Sequence, residues 1–317
     1  MQGLRIDPDA EVLRLQDILL NGLEERLIGV QIKSIQLKDA CHVIVIRVPQ
    51  SLNGPHRVKT NQHFFLREGP RKRQMNIPEV RNDFIKLHSN ANRLKDFRIE
   101  RISRILAGET PVPLFEGAIA VLHFLPFNAV NTDTTLFTTG NHRNLPVLSA
   151  SYPSFHRLNI DGIFSARNVT ENGCGAYTQL YRNGYIEAVR VFTTLLPERN
   201  FYNIASRAYE EEIIEFYQKL LPEFETMGAS PPVVFFLSIL KAKSATLGIN
   251  LSERVYLDGD QGFFDRNTIL IPDLLISDFT HPAEQVLKPA FDLVWNAAGI
   301  THSWNFDKNG NWKARPN

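Results

Sequence analysis

Apolar residues recur along this chain at two spacings, one helical and one alternating, and the two spacings take turns. Behind Asp7-Pro8-Asp9, the residues Val12, Leu15, Leu19, Leu23 and Leu27 fall on one helical face. Asp7 can accept from an orphan amide and Pro8 suits the first helical position, so the spacing predicts an amphipathic helix over residues 8–28, stopped by Gly29. Residues 30–37 and 42–48 read as strands joined at Lys38-Asp39. Val43-Ile44-Val45-Ile46 is apolar on both faces, the pattern of a strand central in its sheet, and Pro49 ends it. Residues 57–60 and 63–67 predict a hairpin around Asn61. Asn76-x-x-Glu79 reads as a capping box that opens a helix to Leu87. His88-Ser89-Asn90-Ala91-Asn92 predicts a break. A further helix over 93–106 then buries Leu94, Phe97, Ile102 and Ile105.

Gly108 to Pro113 is the expected domain boundary, giving domains 1–107 and 108–317. Past it, residues 115–126 read as β-rich and 128–144 as a polar loop. Asn183-Gly184 sits between two aromatic and β-branched runs, which predicts a hairpin over 177–192 with positive φ at both turn centres. Tyr209, Ile213, Phe216, Leu220 and Phe224 predict a long helix over 205–227, ended by Gly228. A buried strand over 233–240, a helix over 284–298 closed by Gly299, and a small hairpin around Asn309-Gly310 complete an α+β chain of two domains.

Charge changes the picture locally. The 317 residues carry a formal net charge of only +1. Between residues 57 and 104, however, thirteen arginines and lysines face five acids. Arg71-Lys72-Arg73, expected on a loop, lies beside the aromatic run His63-Phe64-Phe65. Arginine forks match phosphate oxygens, and cations beside aromatics suit nucleic acid. The candidate contact set is Arg57, Lys59, Arg67, Arg71, Lys72 and Arg73.

An ordered series of motifs over residues 3–87 resembles the second half of the Schlafen AlbA-like domain. The series begins with a helix ending Glu24-Glu25-Arg26-Leu27-Ile28-Gly29 and a strand ending Val48-Pro49-Gln50-Ser51. It continues with the Pro55-His56 pair, the strand end Arg67-Glu68-Gly69 and the helix start Met75-Asn76-Ile77-Pro78-Glu79. The resemblance implies a nucleic-acid-associated module. In ribonuclease members of that family the metal-binding carboxylates lie in the domain's first half, so the resemblance carries over no catalytic residue. It implies instead a nucleic-acid-binding or regulatory protein, with RNA or DNA as partner, and a homo-oligomer or a partner chain completing the sheet. The alternative it leaves open is a metal-dependent nuclease, formed when an upstream half joins the domain.

Other chemistries find little footing. There is no phosphate-cradling G-x-x-x-x-G-K-[S/T] loop, no H-E-x-x-H, no C-x-x-C and no G-x-S-x-G elbow. Asp258-Gly259-Asp260 is followed by Gly262 and Phe263 where a calcium loop needs an acid or amide and then a glycine, and Asp307-x-Asn309-x-Asn311 has Trp312 at the sixth position and no distal Glu. No metal and no cofactor is expected. Cys41 and Cys174 share no motif and read as buried thiols of a reducing compartment. With no leader and no apolar run of membrane length, the expected location is the cytoplasm. Asp292 and Asn296 share a helix face, and with Glu187 they form a candidate ligand pocket. That pocket supports a third reading, a small-molecule sensor in the second domain.

Overall fold

The computed structural model describes residues 4–37, 41–51, 53–129, 145–149, 153–196, 200–249 and 261–313. The chain divides into two compact units, Met1–Lys95 and Asp96–Asn317.

In the first unit, helix α1 spans Pro8–Gly22, and the Asp7 carboxylate caps it by accepting from the amides of Asp9 (3.1 Å) and Ala10 (3.3 Å). It stops six residues before the expected end. Leu23–Glu24 instead forms β1, which pairs with β4 (Arg57–Val58), so ladder hydrogen bonds replace helical ones. Between them, β2 (Gln31–Gln36) and β3 (His42–Arg47) form an antiparallel pair, Ile35 opposite Val43. Among the described residues only Leu4 pairs with the other edge of β3. Val45 and Ile46 stay 45% and 44% exposed, so β3 is not the central strand its apolar run predicts.

Strand β5 (His63–Glu68) pairs with β4, and β6 (Arg71–Gln74) pairs with β5, giving the sheet order β1-β4-β5-β6. Residues 71–73 are thus on a strand, not a loop. Pairing with β5 supplies what their apolar content does not. Helix α2 runs unbroken over Ile77–Leu106. The expected break at 88–92 is absent. Asn and Ser weaken a helix by only about half a kcal/mol each, and the row Leu94, Arg98, Ile102, Ile105, all buried, holds the helix through them. The division between the units falls within this helix.

The second unit is built on one large antiparallel sheet. Its strands are β7 (Ala118–Pro126), β8 (Phe155–Leu158), β9 (Gly162–Arg167), β10 (Ala176–Tyr181) and β11 (Ile186–Phe192). Next in the chain come β12 (Leu195–Leu196), β13 (Phe201–Ala205), helix α3 (Ser206–Thr226), β14 (Val233–Leu240) and β15 (Ala245–Gly248). Strands β16 (Thr268–Leu270) and β17 (Leu274–Ile276) and helix α4 (Ala283–Ala297) follow. The large sheet runs β16-β14-β7-β11-β10-β9-β8, with β17 also on β14. Strands β12, β13 and β15 form a separate small sheet in which β13 and β15 are parallel.

Alternation divides the large sheet's side chains between two cores. Ala120, Leu122 and Phe124 of β7 join Tyr209, Phe216 and Leu220 of α3 and Phe291, Val294 and Trp295 of α4 in one apolar cluster. Ile119 and Val121 join Tyr177, Val189 and the α2 residues Ile102 and Ile105 in a second. The β10–β11 hairpin exists as expected, but its loop has three residues. Tyr181 donates to the Tyr185 carbonyl (2.8 Å), Gly184 donates to the Tyr181 carbonyl, and only Gly184 adopts positive φ (+86°). A type I turn followed by a left-handed glycine meets the strands' twist as well as a two-residue turn does. The tail hairpin shrinks to one pair, Phe306 opposite Trp312. Most of the polar loop expected over 128–144 lies outside the described residues. Among the described residues, no helix is long and apolar enough to cross a membrane.

Candidate nucleic-acid interface

Side chains on β5 alternate, so His63, Phe65 and Arg67 share one face and Phe64, Leu66 and Glu68 the other. The register places Gln74 opposite Phe65, Lys72 opposite Arg67, Arg73 opposite Leu66 and Arg71 opposite Glu68. Opposed residues of an antiparallel pair project to the same side. One hairpin face therefore carries His63, Phe65, Arg67, Lys72 and Gln74. The reverse face carries Phe64, Leu66, Glu68, Arg71 and Arg73, and Phe64 packs edge-on to Phe84 of α2 at 6.3 Å.

The six expected contact residues do not act alike. Arg73 is held by two carboxylates: Nη1 donates to Glu79 Oε2 (2.8 Å), and Nη2 donates to Glu79 Oε1 (2.6 Å) and Glu68 Oε1 (2.7 Å). Glu79 is the acid of the capping box. Its carboxylate accepts from the Asn76 amide (2.8 Å) while Asn76 Oδ1 accepts from the Glu79 amide (2.9 Å). Hydrogen bonds from Arg73, then from the Asn76 amide, hold the Glu79 carboxyl down at about 2. Those from both carboxylates raise the Arg73 pKa above its ordinary value. Arg73 therefore ties the hairpin to the first turn of α2. Arg57 is bound to Glu24 across the β1–β4 pair. The other four, Lys59, Arg67, Arg71 and Lys72, are exposed and have no carboxylate partner among the described residues.

Arg67 and Lys72 lie side by side on the His63–Phe65 face. Arg67 Nε donates to the Gly69 carbonyl (2.9 Å), which orients the guanidinium at the turn. Lys72 Nζ sits 5.4 Å from the centroid of the Phe65 ring, and the His63 ring meets Phe65 edge-on at 6.3 Å. This face contains no acid. His63 and Phe65 share this face with Arg67 and Lys72, although charge counting does not place them there. The signal for them is the parity of β5.

The candidate pocket of Glu187, Asp292 and Asn296 does not form. Glu187 alternates with Ile186 and Ala188 on β11 and projects to the opposite side of the sheet from α3 and α4. There it is fully buried. It takes two hydrogen bonds from Arg101 (2.9 and 3.0 Å), one from Tyr177 Oη (2.8 Å) and one from His123 Nε2 (3.2 Å). Burial pushes the Glu187 carboxyl up, but His123 and Arg101 outweigh it and hold the carboxyl at about 2. Burial keeps His123 neutral, so its Nε2 carries the proton donated to Glu187, and its Nδ1 is left buried without a partner. On α4, Asp292 binds Lys288 (2.6 Å) and accepts from the Ser303 amide (2.9 Å), while Asn296 donates to the carbonyls of Ile300 and Thr301. These two residues pin the segment after α4 to the helix.

A second buried carboxylate, Glu210 of α3, has no cation against it among the described residues. Trp295 Nε1 (2.7 Å), Ser303 Oγ and Asn305 Nδ2 (2.8 Å) donate to it. Burial raises it to about 7 in spite of these donors. Cys174 is buried and its thiol is pushed up to about 11. Asp307 accepts from the amides of Asn309 and Asn311 and closes a turn, while Asp258-Gly259-Asp260 lies outside the described residues. Among the described residues, no group of three or more His, Cys, Asp or Glu side chains is placed to hold a metal ion. No family model, no curated protein and no solved structure matches this chain.

Proposed function

We propose that this protein binds nucleic acid through its phosphate backbone, using the β5–β6 hairpin of the first unit. The observation that carries this reading is the acid-free hairpin face, where Arg67 and Lys72 stand next to each other with no carboxylate partner among the described residues. Lys59 and Arg71 add exposed cations on the same small sheet and its turns. With a net charge of only +1, the attraction of such a patch is local and fades over the Debye length, about 8 Å at physiological salt. Binding therefore depends steeply on salt.

The test is fluorescence anisotropy of a labelled single strand across a salt series. Each phosphate neutralised on a single strand contributes about 0.7 to the slope of log affinity against log salt. Replacing both Arg67 and Lys72 with alanine is expected to flatten that slope by roughly 1.4 and to weaken binding at low salt. Full-strength binding by the double variant, with an unchanged slope, rules out this face as the contact surface.

A further inference from the structure

The same hairpin carries rings as well as cations, and the rings occupy the cationic face. Phe65 is half-buried by its neighbours, and His63 beside it is exposed. A phosphate at Arg67 and Lys72 needs only the charges. Phe65 has no apolar element of the hairpin across from it, because its cross-strand neighbour is Gln74. Lys72 reaches over its ring, so a cation that would meet a phosphate is held within one side-chain length of a flat apolar surface. Nucleotides in an unpaired strand present this pair of features, a charged backbone and a free base face. In a duplex the base faces are stacked on each other and closed to a protein ring.

A groove of about 510 Å³ lies on the other side, where Phe64 of the reverse face meets α2, and His63 and Gln74 also line it. Its apolar walls include Phe84 and Ile77, which are 52% and 77% exposed, and Arg81 stands in the lining.

Resting on the reading proposed above, the geometry points to unpaired nucleic acid as the ligand class, with Phe65 as a stacking platform for one base. Arg67 and Lys72 hold the phosphate next to that base. Stacking of one base on an aromatic ring changes affinity by about tenfold or more. Phe65 sets the preference for single strands, while the cations set the affinity common to any polyanion.

The experiment titrates the full chain with four labelled oligonucleotides of equal length at low salt. These are a uridine strand, a thymidine strand, an abasic strand with the same number of phosphates, and a duplex. Both base-bearing single strands are expected to bind about tenfold tighter than the abasic strand and the duplex. Phe65→Ala should bring them down to the abasic level and leave abasic binding unchanged. Phe65→Trp should restore the preference, and it serves as the control that position 65 tolerates a ring and the chain still folds. A difference between uridine and thymidine strands would report a contact to the sugar hydroxyl within the same site. Equal affinity for abasic and base-bearing strands, or a Phe65→Ala variant that keeps the preference, overturns the platform while backbone binding stands. Absence of binding to all four overturns both.

Discussion

Glu187→Ala is expected to destabilise the second unit by about 3–5 kcal/mol, the range found when one partner of a buried ion pair is removed. The substitution takes away the acceptor for Arg101, Tyr177 and His123 together. Arg101 is then a buried guanidinium with no carboxylate against it, and His123, already lacking a partner at Nδ1, loses its bond at Nε2 as well. Burial of an unsatisfied charge costs far more than the ion pair contributed. The double variant Arg101→Met/Glu187→Leu should consequently be markedly more stable than Glu187→Ala alone. Urea unfolding of the single and double variants measures both effects. A loss below about 1 kcal/mol for Glu187→Ala would mean the cluster is open to water. The pH dependence has a definite sign. The folded carboxyl lies at about 2, below its ordinary 4.5, so its contribution is present above pH 4.5 and is lost as pH falls toward 2.

Glu210 works in the opposite direction. Its folded value, about 7, lies above the ordinary 4.5, so the fold prefers the protonated acid. The corresponding stability is fully present below pH 4.5 and is lost as pH rises through 7. Glu210→Gln removes this titration. Between pH 4.5 and 8, wild-type stability should fall relative to the glutamine variant by on the order of 2–3 kcal/mol. Unfolding midpoints at four or five pH values give the comparison. A difference between the two proteins that stays constant with pH would show that Glu210 is ionised throughout. Asp292, the nearby acid that pushes Glu210 up, is itself paired with Lys288, so the glutamine substitution isolates the one buried group.

Local signals were legible where local physics decides the outcome. Asn76 and Glu79 form the reciprocal cap their spacing predicts, and strand β14 spans the apolar run 233–240. Misreadings arose where distant partners decide. The run at 43–46 reads as central because it is apolar on both sides, yet a run of residues does not say how many strands flank it. Residues 71–73 look like a loop because a strand of cations has no apolar alternation, and only its register with β5 makes it one. Polarity alone groups Glu187 with Asp292 and Asn296. Its parity against Ile186 and Ala188 already placed it on the other side of the sheet.

Arg73 shows most sharply how charge in a sequence differs from charge available to a ligand. Its planar fork serves Glu68 and Glu79 at once, which a single ammonium group cannot do in the same geometry. Arg67 and Arg71, by contrast, present their charge to solvent. The two basic amino acids should thus be exchangeable at the outer positions and not at the inner one. A substitution library selected for soluble, folded protein should retain lysine at 67 and 71 and discard it at 73, before any ligand is added.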